Sequence, residues 1–163
     1  MTRRLSSALR TSPRQQQRGI AAIEFALVFG LLFFALYGVV TFGVMLYTQQ
    51  VVSRSAEDGA RAALRLGQSL QPGDSRVQEA VYDALAFALI TPLEAGTSVD
   101  QKKAWLRLKM TPPEVTLPST ETVLVTVRYP YGAHSVLPSM ASWLDGLTSA
   151  QLTGKATAAR RAS

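Results

Sequence analysis

A single carboxylate interrupts the most apolar stretch of this sequence. Arg18-Gly19-Ile20-Ala21-Ala22-Ile23-Glu24-Phe25 sets a base and a glycine before an apolar helix in which Glu24 is the fifth residue from Ile20. An acid held within lipid costs roughly a few kcal/mol, less near the interface, so such a residue ordinarily has a partner. Cutting the chain between Gly19 and Ile20 would create one. The new α-ammonium lies four residues from Glu24, about 6 Å along a helix axis, and neutralises it within one chain or between neighbours. The bland alternative is an interfacial carboxylate facing water or headgroups. Its isolation in an otherwise uncharged stretch argues against that reading.

Other reactive constellations are weak. His134 is the only histidine, and Ser135 and Asp145 near it have no recognisable nucleophile context, so a loop or surface histidine is expected. The absence of cysteine removes disulfides, thiolate metal sites and cysteine nucleophiles together. Carboxylates beyond the apolar stretch show neither the pairing of a glycosidase nor the spacing of a calcium loop. Trp105, Tyr129, Tyr131 and Trp143 are candidates for an aromatic contact surface, although core packing is the commoner fate of such side chains. No catalytic residue, metal site or cofactor is therefore expected.

The element that must carry Glu24 is a membrane helix. Phe25 to Tyr47 contains no charged residue, and its 23 residues span roughly 35 Å of helix, enough to cross a bilayer. A buried core helix fits poorly, because Phe, Leu and Val occur on every face. The chain's net charge of +6 invites a nucleic-acid reading, but the charges are badly placed for one. Arg3, Arg4, Arg10, Arg14 and Arg18 precede the junction with no acid among them, leaving 12 basic against 11 acidic residues from Ile20 onward. No clustered phosphate-binding surface follows, and no nucleic-acid partner is expected. The same arginines place the N-terminus in the cytoplasm by the positive-inside bias, with the C-terminal bulk exported. Arg3-Arg4 resembles a twin-arginine start, but a polar stretch with Pro13 and Gln15-Gln16-Gln17 separates the pair from the apolar run. That run also exceeds an ordinary signal-peptide core.

Beyond Tyr47 nothing stops the helix. Val52, Ala56, Ala60, Ala63 and Leu64 keep helical spacing, Glu57 and Arg61 stand in the favourable order at i and i+4, and Gly67 ends a helix predicted over 20–66. Small residues recur along it every four positions, at Ala22, Ala26 and Gly30, with Gly38 two steps on, and again at Ser55, Gly59 and Ala63. Such stripes let helices approach closely; an alanine- and glycine-rich composition also produces them by chance.

A second helix is predicted from Ser75, capped by a Ser75/Gln78 box, with Val77, Val81, Leu85 and Leu89 packed on the first helix or a sheet, and stopped by Thr91-Pro92. Strict alternation over Trp105 to Thr111 predicts a half-buried strand. Pro112, Pro113 and Pro118 interrupt it, and Thr122 to Tyr129 resumes with Val123, Val125, Val127 and Tyr129 inward. These two are expected to pair antiparallel. A short helix near 139–144 and a third strand or frayed segment over 147–158 complete the reading. The expected fold class is α+β: a long transmembrane helix continuing outside the membrane, a second packed helix, and a small antiparallel sheet of two or three strands. The expected divisions are a basic leader (1–19), a transmembrane helix (20–48), its exported continuation (49–66) and a small periplasmic domain (67–163).

The junction resembles the class III signal sequences of type IV pilins, and GIAAIEFALV followed by YTQQVVSRSAEDGARAA resembles the TadE-like minor pseudopilins of the tight-adherence (Tad, or Flp, type IVb) pilus system. The resemblance runs roughly from Arg18 to Leu66. It implies that Gly19 and Ile20 form the prepilin-peptidase junction, that Glu24 is the assembly carboxylate, and that Phe25 is the aromatic that follows it. It further implies a non-catalytic protein of the bacterial inner membrane, or of the pilus itself, with a prepilin peptidase, other Tad pilins and pseudopilins, the inner-membrane assembly platform and the lipid bilayer as partners. The chain is much longer than the family's major pilin, which favours a minor component. Rival readings are an uncleaved single-pass scaffold and a membrane-tethered ligand-binding domain.

Overall fold

A computed structural model describes residues 13–119, 121–134 and 151–159. Helix α1 runs Pro13–Leu66, α2 Ser75–Ala88 and α3 Val99–Lys109; strands β1 (Glu114–Ser119), β2 (Thr122–Pro130) and β3 (Gln151–Ala159) follow. The strands form one antiparallel sheet in the order β1-β2-β3, and the fold is α+β. The chain divides into two units, Met1–Val40 and Thr41–Ser163.

In the first unit, the described part of α1 exposes apolar side chains all round. Ile20, Phe25, Leu31, Leu36 and Val39 are each at least 62% exposed, and Phe25 stacks on Phe29 one turn away at a centroid distance of 6.0 Å. The most apolar 18-residue window of the helix has no buried residue. A helix that is apolar all round and bare needs a covering other than water.

In the second unit, α1 changes character. Val52, Ala56, Ala60 and Ala63 are buried at steps of three or four, while Arg54, Glu57, Asp58 and Arg61 occupy the exposed side. Ser55, Gly59 and Ala63 supply the close approaches. A β-carbon added at Gly59 would lie 2.6 Å from Val81 and 3.2 Å from Val125, joining α1 to α2 and β2. One added at Gly154 would lie 2.5 Å from the Val52 carbonyl oxygen, so β3 crosses directly against the helix backbone. Alternation on β2 buries Val123, Val125, Val127 and Tyr129 as expected, and these complete a core with Val77, Val81, Leu85 and Leu106.

Gly67 takes φ +51 and the helix passes into a short 3-10 turn over Gly67–Ser69. Helix α2 starts as predicted, but its cap is Asp74: the Asp74 carboxylate accepts from the Arg76 backbone N–H at 3.0 Å. The expected Ser75/Gln78 box is absent because Asp74, one residue earlier, already satisfies the orphan amide. Gln78 instead donates to the Pro113 carbonyl at 3.1 Å. The helix ends at Ala88, ahead of the Thr91-Pro92 stop.

The strand expected over Trp105–Thr111 is instead the second half of α3. A true capping box starts that helix: the Gln101 backbone N–H donates to Ser98 Oγ, and Gln101 Oε1 accepts from the Ser98 N–H, both at 3.2 Å. Leu106 and Met110, one turn apart, are buried beside Trp105, whereas Leu108 is 82% exposed. Alternation of apolar residues over so short a run is compatible with either period, and the cap decides it. The partner of β2 is therefore β1, which accommodates Pro118 because it is an edge strand, with an irregular register between Thr116 and Ser119. On the other side of β2, β3 pairs along the whole strand, from Thr122 opposite Ala159 to Pro130 opposite Gln151. Positions 147–150, the short helix near 139–144, Ser135, Trp143 and Asp145 lie outside the described residues.

Candidate functional site

Gly19, Ile20, Ala22, Glu24, Phe25 and Ala26 all lie on α1 and are exposed; Gly30 and Gly38 are half-buried. Glu24 stands one turn beyond Ile20 on the same helix, the spacing that lets a terminal ammonium at Ile20 reach its carboxylate. Gly19 occupies a helical position at which glycine weakens the helix by about 1 kcal/mol relative to alanine. Local unwinding of the helix is thereby made easier at the residue that precedes Ile20.

The two halves of the small-residue stripe have different surroundings. At Gly30 and Gly38 an added β-carbon meets nothing within 4 Å, so these notches are open. Ser55, Gly59 and Ala63 are buried under the chain's own α2 and sheet. The outer half of the stripe is thus used within the chain, which sequence periodicity alone did not separate from the inner half.

Polar groups of the second unit form exposed links between neighbouring elements. Lys103 on α3 bridges Glu79 and Asp83 on α2, the latter at 2.6 Å, and Arg107 pairs with Glu79 while lying 5.6 Å from the Tyr82 ring centroid. Hydrogen bonds from Lys103, then from Arg107, hold the Glu79 carboxyl below its ordinary value. Asp74 is drawn down to about 2, first by the Arg76 side chain and then by the Arg76 backbone N–H. Arg61 meets Asp58 at 3.3 Å and Glu57 at 4.0 Å, so the predicted i and i+4 pair is present but shared.

His134 packs edge-on against Trp105, ring centroids 4.9 Å apart. Burial, and next the charge of Lys109, push its pKa down, so the neutral imidazole is favoured. Trp105, Tyr129 and Tyr131 are all buried, and the role of these three is core packing. Burial pushes the Tyr129 hydroxyl up to about 12.

One feature escaped the sequence reading. Ala84 to Leu93 is a ten-residue run without charge, bounded by Asp83 and Glu94. The periodicity of α2 accounts for Leu85 and Leu89 in this run but not for Phe87, Ile90 and Leu93, which are 84%, 45% and 98% exposed. The length of the uncharged run was the available signal.

Residues 19–61 match a family model described as TadE-like protein. The match opens on Gly19, takes in Glu24 and the apolar run, and ends at Arg61 within the buried continuation of α1. No curated protein and no solved structure matches the chain.

Proposed function

We propose that this chain, with its TadE-like segment over residues 19–61, is a minor pilin or pseudopilin of a Tad-type pilus. A prepilin peptidase removes the leader between Gly19 and Ile20. The mature chain resides in the bacterial inner membrane as a single-pass protein, leader side in the cytoplasm and folded domain in the periplasm, and contributes to pilus assembly and adherence. Its role is structural and not catalytic. Its partners are the peptidase, other Tad pilins and pseudopilins, the inner-membrane assembly platform and the bilayer.

The observation that carries this reading is the coincidence of Gly19, Ile20 and Glu24 on one exposed helical turn with the first residue of the family match. A carboxylate on a bare apolar helix requires compensation, and cleavage at the junction generates a cation at the right spacing. Phe25 follows Glu24 directly and stacks on Phe29 one turn away. The open notches at Gly30 and Gly38 are suited to the close approach of a neighbouring helix.

The deciding measurement is the mature N-terminus. Intact-mass and N-terminal peptide spectra of the membrane-extracted protein, from cells with and without active peptidase, are expected to begin at Ile20 and at Met1 respectively. A chain that begins at Met1 in both is the uncleaved scaffold.

A further inference from the structure

We propose that the end of α2 and the connection after it, presenting Phe87, Ile90 and Leu93, are a second membrane contact that seats the folded domain in the lipid headgroup region. The proposal rests on the single-pass reading above. Three observations within the second unit carry it.

First, α2 runs back along α1. Gly59 faces Val77 and Val81, whereas the Tyr47 hydroxyl donates to the Ala88 carbonyl at 2.9 Å. The end of α2 is therefore fixed at the level of Tyr47, where the apolar run of α1 gives way to Thr48-Gln49-Gln50. Second, that level corresponds to the membrane surface. The apolar stretch from Phe25 to Tyr47 spans roughly 35 Å of helix against a hydrocarbon layer of about 30 Å, so Tyr47, at its end and followed by Thr48-Gln49-Gln50, falls at the headgroups, where tyrosine is favoured. Ile90 is two residues from Ala88, hence within about 7 Å of it, and Leu93 lies within a further 10 Å or so.

Third, the segment has the chemistry of an interfacial element. Residues 84–93 carry no charge; Leu85, Ala86 and Leu89 face the core while Phe87, Ile90 and Leu93 face outward. A groove of about 680 Å³, lined by Tyr47, Gln50, Arg54, Ala84 and Phe87 among others, lies between α1 and α2 at the same end. Apolar side chains displayed at the rim of a bilayer insert about 5–10 Å into the headgroup and acyl boundary. Lipid is favoured over a protein partner because Tyr47, which holds the end of α2, directly follows the apolar run of α1, where Phe42 and Leu46 are 59% and 62% exposed.

The chain has no cysteine, so single environment-sensitive labels can be placed cleanly on the full-length protein. Leu32→Cys, Phe87→Cys, Ile90→Cys and Leu108→Cys, each carrying a nitrobenzoxadiazole label, would be reconstituted into phosphatidylethanolamine and phosphatidylglycerol vesicles. Quenching is then read with headgroup-region and mid-chain nitroxide lipids. Labels at 87 and 90 are expected to be blue-shifted and quenched by the shallow nitroxide at least about twofold more than the label at 108, the depth preference of an interfacial segment. The label at 32 is expected to respond to the deep nitroxide. Adding Ile90→Glu should release the label at 87 from quenching while leaving that at 32 unchanged. Deep quenching at 32 with none at 87 and 90 overturns the proposal and leaves the single-pass reading intact. Equal quenching at 87, 90 and 108 reflects general adsorption and also overturns it. Loss of quenching at 32 overturns both.

Discussion

Glu24 and Gly154 show how much a single position can carry, and for opposite reasons. Glu24 is exposed on a helix whose neighbouring side chains are apolar, so its importance lies in what approaches it. Glu24→Ala is expected to leave cleavage at Gly19 largely intact, because the cut bond is on the other side of Ile20, and to impair assembly or partner association. Mature-chain mass together with pilus counts tests this, and normal piliation would refute the charge-pair mechanism. Gly154 matters for what already touches it. A methyl group there would press on the Val52 carbonyl, and a backbone atom cannot rotate away. Gly154→Ala should cost roughly 1–3 kcal/mol of stability, measured by unfolding in detergent micelles. Gly38→Ala is the control: nothing lies within 4 Å of the added carbon, so the same measurement should show no loss. Glu24 was conspicuous in the sequence because charge in an apolar run is costly. Gly154 was invisible there, because its constraint is a tertiary crossing between segments about 100 residues apart that no local pattern encodes.

Among the elements, α1 was legible from its long uncharged run followed by the helical spacing of Val52, Ala56, Ala60 and Ala63, and β2 from its strict alternation. Helix α3 was misread because Leu106, Leu108 and Met110 alternate, while Lys102 and Lys103 occupy the preceding turn. Lys103 is nonetheless largely covered, its ammonium placed between Glu79 and Asp83, a tertiary contact that a hydrophobicity pattern counts as a defect. β1 was missed because prolines were read as breaks, although an edge strand tolerates them. The α2–α3 link has a pH signature. The Glu79 carboxyl is held below its ordinary 4.5, so the folded state favours the ionised form. This contribution is fully present above about pH 4.5 and is lost as pH falls through the depressed folded value. Asp74 adds a similar loss between 3.8 and about 2. Thermal unfolding across acid pH should therefore decline below 4.5. Lys103→Met should flatten part of the decline, an effect of about 0.2–1 kcal/mol after solvent screening, weakened further by salt.

At the scale of the molecule, the two units meet water on different terms. The folded unit carries its own core, whereas large apolar side chains from Ile20 to Leu46 remain 45–74% exposed. A bilayer would match this exposure with lipid. Alkaline carbonate, which strips peripheral proteins, should leave the chain in the membrane pellet, and detergent should be needed to release it; recovery in the carbonate supernatant would contradict a spanning helix. The family match ends at Arg61, and the fold beyond it is held by its own core of Val77, Val81, Leu85, Leu106 and the inward face of β2.

The bareness of α1 also constrains any departure from the membrane. Burial of one large apolar side chain is worth about 1.5–3 kcal/mol, and more than a dozen are uncovered at once. Lifting a lone copy into water would thus cost on the order of 20–40 kcal/mol by the same scale, far beyond thermal fluctuation. If the chain passes from the membrane into a pilus, as the proposed function allows, extraction is feasible only as a handover, in which neighbouring helices close around Gly30, Gly38 and the flanking Phe and Leu side chains as the lipids withdraw. A free exported monomer is then not an intermediate of that process, and its rate would depend on how often a vacant position in the growing bundle is presented at the bilayer.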